Sequence, residues 1–274
     1  MKPFLVAALI SGLSVCGVLP ARAVPSVCHA PEGTAGPIGP LPRVSVVLKP
    51  GGTLRILAVG SATMFGPGAS LRAGTITSQA LSNAASVAPP PKAPLRQEPT
   101  AHAFPRQMVD ALEKEMPGLK VDLVVRGGRG MSAADMLTLL QSELGRVHPQ
   151  LVLWQTGTVE AVRNTPPGDF AQTLETGAEA IEAAGANLIL IDPQFSRFLQ
   201  ANSNLEPYLQ ALQQVTGLPG VLLFHRFDLM RSWAADGRLD LERAKRADRR
   251  TLIDEVHACI GQDLARMVFA AARS

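Results

Sequence analysis

A three-layer α/β domain built on a doubly wound parallel sheet is the fold class this sequence predicts, on three observations. Short apolar runs alternate with amphipathic stretches of helical period. The runs are apolar at consecutive positions rather than at every second one, as expected of strands covered on both faces. The chain has 274 residues, which after removal of an N-terminal export signal is enough for one such domain with a sizeable core. Strands that alternate with helices in this way join through right-handed crossovers.

Taken in order, the first strand spans 54–59 and ends at Gly60. A helix over 105–115, a strand over 121–125 and a helix over 133–144 follow, the last with Met136, Leu137, Leu140 and Leu144 on one face. Next come a strand at 151–155, a helix at 169–184 closed by Gly185, and a strand at 188–191. A helix at 205–215, a strand at 221–224 and a C-terminal helix at 253–272 complete the pattern.

Three segments stand outside it. Residues 1–23 combine a lysine, an apolar stretch and Ala21-Arg22-Ala23, the pattern of a signal peptide cleaved after Ala23. The expected location is therefore periplasmic or secreted, with no integral membrane segment in the mature chain. Cys16 follows Val15, where lipid attachment calls for a small residue, so an unlipidated product is expected. Residues 24–42, rich in Pro and Gly, read as an extended surface arm, and the domain is expected over 43–274. Within it, a low-complexity insertion at about 80–100 holds Pro89-Pro90-Pro91 and Pro94 and cannot form a regular element.

Composition excludes several functions. The formal net charge is +3, and the longest basic runs are the pairs Lys245-Arg246 and Arg249-Arg250, so no nucleic-acid partner is expected. Aromatic residues make up 4% of the chain, too few for stacking platforms. His29, His102, His148 and His225 lack spaced Cys, His or carboxylate partners, so no metal is expected. Gly127, Gly128 and Gly130 are not followed by Gly-Lys-Ser/Thr, and no nucleotide or other cofactor is expected. Cys28 and Cys259, the two cysteines left after cleavage, are either a disulfide or two unrelated buried thiols.

Ligands of such sheets bind at the carboxyl ends of the strands, so the residues just after each strand carry the functional information. Gly60-Ser61-Ala62-Thr63-Met64-Phe65-Gly66 resembles the first block of the SGNH (GDSL-like) hydrolases, Gly-Asp-Ser-Leu-Thr-x-Gly. Arg126-Gly127-Gly128-Arg129-Gly130 resembles the second block, and Trp154-Gln155-Thr156-Gly157-Thr158-Val159-Glu160 the third, Gly-x-Asn-Asp. Ile191-Asp192-Pro193-Gln194 and the 226–231 segment are similar to a bacterial exported subgroup of that family. The resemblance implies the flavodoxin-like SGNH hydrolase fold.

It also implies which residues matter. Ala62 falls on the nucleophile position and has no group that can attack. Gly130 falls on the glycine that lends a backbone N–H to the oxyanion hole. Val159 falls on the asparagine that supplies the second donor, a loss typically worth about 10²–10³ in rate. Two registers compete for the Asp-x-x-His block. One places it on Asp248 and Thr251, leaving an aspartate without a base. The other places it on Asp254 and His257 and lets Ser61 act as nucleophile after a one-residue shift. Glu160 reads as a solvated acid on a loop.

Three functions are therefore expected in competition. The first is an exported family member with weak or no ester hydrolase activity, its ligand an acyl ester or an acetylated glycan. The second is an active serine esterase or deacetylase using Ser61, Asp254 and His257. The third is a glycan- or protein-binding module that works through the insertion.

Overall fold

A computed structural model describes residues 28–66 and 98–274. The expected signal peptide, the start of the arm and most of the insertion lie outside the described residues. Five strands form one sheet in the order β2-β1-β3-β4-β5: β1 (Thr53–Gly60), β2 (Lys120–Gly127), β3 (Leu151–Gln155), β4 (Asn187–Ile191) and β5 (Val221–Phe224). All neighbours are parallel, with Ile56 beside both Leu123 and Leu151, and Leu188 beside Val221. The consecutive apolar runs are the strands because both faces of the sheet are covered, and every residue of β3, β4 and β5 is buried.

The helices are α1 (Pro42–Val47), α2 (Phe104–Glu115), α3 (Ala133–Val147), α4 (Thr158–Arg163), α5 (Pro167–Ala183), α6 (Arg197–Asn202), α7 (Glu206–Val215), α8 (Arg226–Ala235) and α9 (Arg249–Arg273). The side-chain alternation along the strands divides the core in two. Ile56, Ala58, Leu153 and Ile189 face Val44 of α1, Met108 and Leu112 of α2, Trp233 of α8 and Leu264 of α9. Leu57, Val59, Trp154 and Leu190 face Leu140 of α3, Leu174 of α5 and Leu212 of α7. On the second face a Cβ at Gly177 would lie 2.3 Å from the Trp154 ring, so α5 can sit this close to β3 only with glycine there.

The segment expected as a surface arm is docked along its described part. Cys28 and Leu41 are buried, the His225 N–H donates to the Ala35 carbonyl at 2.9 Å, and Pro42–Val47 is helical. Its Pro and Gly residues prevent regular structure without preventing burial. Cys28 and Cys259 form a disulfide with their Cα atoms 5.2 Å apart, tying this segment to α9. Among the described residues no helix is long and apolar enough to cross a membrane.

Candidate active site

The carboxyl ends of β1, β2 and β3 meet at one edge of the sheet. Ser61 leaves β1 in extended conformation, and Ala62–Phe65 form a 3-10 turn. Gln155, the last residue of β3, reaches across to it. The Gln155 Nε2 donates to Ser61 Oγ at 2.9 Å, and the Thr63 hydroxyl donates to Gln155 Oε1 at 2.9 Å. Ser61 Oγ and Thr63 Oγ1 are 3.0 Å apart. With the Thr63 proton committed to Gln155, the Ser61 proton closes the ring onto Thr63. Ala62 beside it is buried at 7% exposure and presents only a methyl group.

The second block is shaped by a close backbone approach. Gly127 has φ 139°, and a Cβ there would lie 1.8 Å from the Gly60 carbonyl oxygen, which also accepts the Gly128 N–H at 3.1 Å. Gly130 follows at φ 70°, its carbonyl accepting from Arg163 Nη2 at 3.0 Å.

The third block differs from the sequence expectation. It is the first turn of α4 rather than a loop, and Val159 lies partly exposed on that turn. Glu160, expected to be solvated, is buried at 2% exposure. Its Oε1 accepts from the Ala133 N–H at 2.6 Å and its Oε2 from the Gly157 N–H at 3.0 Å. Two helix N-termini, those of α3 and α4, converge here with unpaired amides, and one carboxylate satisfies both.

Neither register of the last block yields a hydrogen-bonded triad. Asp248 is the residue that precedes α9 and Thr251 lies one turn on, both exposed. His257 lies in the interface between α9 and α2, 8% exposed, with its ring centroid 5.8 Å from that of Phe104. Its Nδ1 accepts the Phe104 N–H at 3.1 Å, so the proton of the neutral ring resides on Nε2. Burial, reinforced by the positive charge of Arg226 and then His102, pulls its pKa down to about 4. Asp254 turns to His102 instead, Oδ2 to Nδ1 3.8 Å. Ser61, Asp254 and His257 are thus not brought into a hydrogen-bonded chain: the hydroxyl is held by Thr63 and Gln155, the imidazole by a backbone amide.

A second polar cluster lies at the ends of β4 and β5, on the two segments that are similar to the exported subgroup but to which that likeness assigns no role. Asp192 Oδ1 accepts the Phe227 N–H at 2.8 Å, capping α8, and burial pushes its carboxyl up to about 8. Arg226 is buried with an unpartnered Nε, and burial lowers its pKa to about 10. His225, Asp228 and Arg231 line a cavity of about 550 Å³. Arg231 Nη2 lies 2.7 Å from Asp228 Oδ1. Among the described residues no group of three His, Cys, Asp or Glu is gathered as for a metal ion.

The five-stranded parallel sheet has an independent counterpart in sequence. The model of the non-GDSL lipase-like family matches residues 81–274. The chain belongs to that family. Its fold is that of the SGNH/GDSL-like hydrolases. The crystal structure of LAE5, an alpha/beta hydrolase enzyme from the metagenome of Lake Arreo, Spain, superposes with a TM-score of 0.56 at 14% identity, covering 82% of this chain and 99% of that one. A catalytic mutant of Axe2, an acetylxylan esterase from Geobacillus stearothermophilus, gives 0.54 at 14% identity over 80% and 95% of the two chains. CEX, a two-domain esterase active on acetylated mannans, gives 0.55 at 12% identity, with 86% of this chain covering 54% of that one. No curated protein matches the chain. These likenesses show the shared fold, in which this chain brings Ser61, Thr63 and Gln155 together at the carboxyl ends of β1 and β3.

Proposed function

We propose that this chain is an exported SGNH-fold protein whose ester hydrolase activity is weak or absent, and whose strand-end site serves to bind an acyl ester or an acetylated glycan. The observation that carries the reading is the closed Ser61–Thr63–Gln155 ring. A serine attacks an ester only if its proton passes to a base as the bond forms. Here the Ser61 proton is directed at another hydroxyl, and no imidazole is hydrogen-bonded to it. Ala62 and Val159 provide neither nucleophile nor oxyanion donor in the aligned positions.

The ligand class is supported by Axe2 and CEX, whose substrates are acetylated polysaccharides. Export is supported by the 1–23 segment and by the Cys28–Cys259 bond, which suits an oxidising compartment. The decisive assay is hydrolysis of short-chain nitrophenyl esters and acetylated xylo-oligosaccharides by the purified chain. Rates at or near background are expected. Robust turnover that disappears in Ser61→Ala overturns the proposal in favour of a working esterase.

A further inference from the structure

The carboxyl edge of the sheet holds a second opening, at the ends of β4 and β5. Depressions of about 550, 430 and 250 Å³ all border Asp228, so together they form one groove around the first turn of α8. Pro31 and Thr34 of the N-terminal segment line one end, and Gln200, Ser203 and Asn204, in and just after α6, line the other. β4 is paired with β3, whose last residue Gln155 reaches Ser61, so the groove lies along the same edge as the first site.

α8 presents its polar groups to this groove in fixed positions. The Phe227 N–H donates to Asp192, the Phe227 ring packs edge-on against Phe195 at 5.6 Å, and the Arg231 guanidinium lies 5.7 Å from the Phe227 ring centroid. Arg231 Nη2 is 2.7 Å from Asp228 Oδ1, which sets a guanidinium and a carboxylate side by side. Most of their capacity stays open. Asp228 Oδ2 is 4.0 Å from His225 Nδ1, too far for a hydrogen bond, and Arg231 keeps its other N–H groups. On the opposite wall the side chains of Gln200, Ser203 and Asn204 make no hydrogen bond among the described residues, and all five groups are at least partly exposed.

The lining selects among ligands. Its charged groups are Arg231 against Asp228, Glu206 and the buried Asp192, so no excess of positive charge draws a phosphate or a carboxylate. Among the described residues no group of three His, Cys, Asp or Glu is gathered to hold a metal. A peptide strand finds the free edge at the end of β5 already taken, because the His225 N–H donates to the Ala35 carbonyl and Gly36 packs too close to the Leu223 carbonyl to admit a Cβ. An acyl chain would strip water from Asp228, Arg231 and Asn204 and leave them unpaired. A sugar chain meets both kinds of lining: its hydroxyls pair with these groups, and its C–H faces rest on Pro31, Leu209 and Ala235.

We propose that this groove binds a neutral oligosaccharide, with adjacent hydroxyls bridging Asp228 and Arg231 and further hydroxyls meeting Asn204 and Gln200. The groove reads hydroxyls rather than esters, so the proposal does not rest on the state of the Ser61 site. The test is calorimetric titration of the purified chain with unacetylated xylohexaose, mannohexaose and cellohexaose. Binding of at least one at millimolar concentration is expected, with an affinity that does not change with salt. Asp228→Ala should weaken it about tenfold or more and Asn204→Ala about fivefold, while Asp228→Asn, which keeps an acceptor, recovers most of the affinity. Circular dichroism checks that the variants fold, and Asn204→Ala, outside any helix, tests the groove independently of α8. No binding of any of the three sugars overturns the proposal. So does binding that ignores both alanine variants, or that falls steeply with salt. Ester turnover by the same protein would overturn the functional reading and leave the groove standing.

Discussion

Ser61 at the end of β1 and His257 in α9 are the serine and the histidine of the 254–257 register, and each is hydrogen-bonded to partners other than the other. The serine sits in a ring of hydroxyl and amide partners without a base. The histidine sits among apolar side chains and a backbone N–H without a hydroxyl. The first group is polar and partly exposed, the second buried and held neutral. The contrast teaches that sequence spacing alone does not pair a serine with a histidine. What decides is the partner each hydrogen-bonding atom already has.

The largest effect expected on the His257 side is loss of its anchor to the N-terminal segment. The Cys28–Cys259 disulfide closes a loop of sequence separation 231, two residues from His257. Cys28→Ser with Cys259→Ser should cost about 3–5 kcal/mol in chemical denaturation under non-reducing conditions. The Ser61 ring makes no hydrogen bond to His257 or to the disulfide, so any residual ester hydrolysis measured below the unfolding transition should not change. A loss of activity without a loss of stability would show that the Ser61 ring depends on the position of α9.

The next effect is a dependence on pH. The His257 pKa falls from its ordinary 6.5 to about 4 on folding, because burial penalises the charged ring. The unfolded chain therefore binds the proton more readily. The stability contributed by neutral His257 is fully present above pH 6.5 and is lost as pH falls towards 4, by roughly 3 kcal/mol. Asp192, with its pKa raised to about 8, acts in the opposite sense as pH rises, so the wild-type curve alone is ambiguous. The difference between wild type and His257→Gln isolates the histidine and should shrink as the solution is acidified from pH 6.5. A difference independent of pH would mean that the ring titrates normally and is available as a base.

Strands β1, β3, β4 and β5 were legible because a sheet covered on both faces demands near-consecutive apolar residues, and few other elements do; the edge strand β2, half exposed and interrupted by Asp122, was legible from the shorter apolar run at 123–125. The short helices α4 and α6 were not, since six residues hold too few turns for a 3.6-residue period to stand out, nor was α8, as long as α7 but buried at Arg226, Phe227, Leu229, Met230, Trp233 and Ala234, so that no apolar stripe is set off from a polar face. The blocks at the strand ends could be located by their glycines, Gly127 above all, whose close approach to Gly60 leaves no room for a side chain. Partners could not be read. Nothing in the order of residues says that Gln155 bridges Ser61 and Thr63, or that Phe104, 153 positions before His257, supplies its hydrogen bond. Glu160 illustrates the same limit, because its burial depends on a second helix N-terminus arriving from α3.

Rebuilding chemistry in the first region tests the contrast from the other side. Ala62→Ser alone should leave ester hydrolysis at background, because it adds a hydroxyl without a base. Ala62→Ser with Thr251→His, which would stand three residues after Asp248, should give measurable turnover if the 248–251 register is the family's. Adding Val159→Asn should raise it by about 10²-fold, the typical worth of one oxyanion donor. Single reversions should remain silent, since members of a triad act as a unit. If Ala62→Ser alone became active and that activity vanished in His257→Gln, the histidine would be the base and the 254–257 register correct.

The smallest effect concerns the ring itself. Ser61→Ala removes one member, leaving Gln155 Nε2 without its acceptor and the Thr63 oxygen without its donor. Because the ring is partly exposed, water replaces some of what is lost, and a cost of about 1 kcal/mol is expected rather than the fuller penalty of a buried orphan. Thr63→Val should cost a similar amount. The double variant should cost less than the sum of the two, since residues in one hydrogen-bond network couple by about 0.5 kcal/mol or more. Urea denaturation of the four proteins measures this cycle, and nitrophenyl ester hydrolysis measured alongside should stay at background in all of them. Additive stabilities would mean the ring does not hold together in solution. A free Ser61 hydroxyl would then be open to activation, and the contrast with His257 would lose its first term.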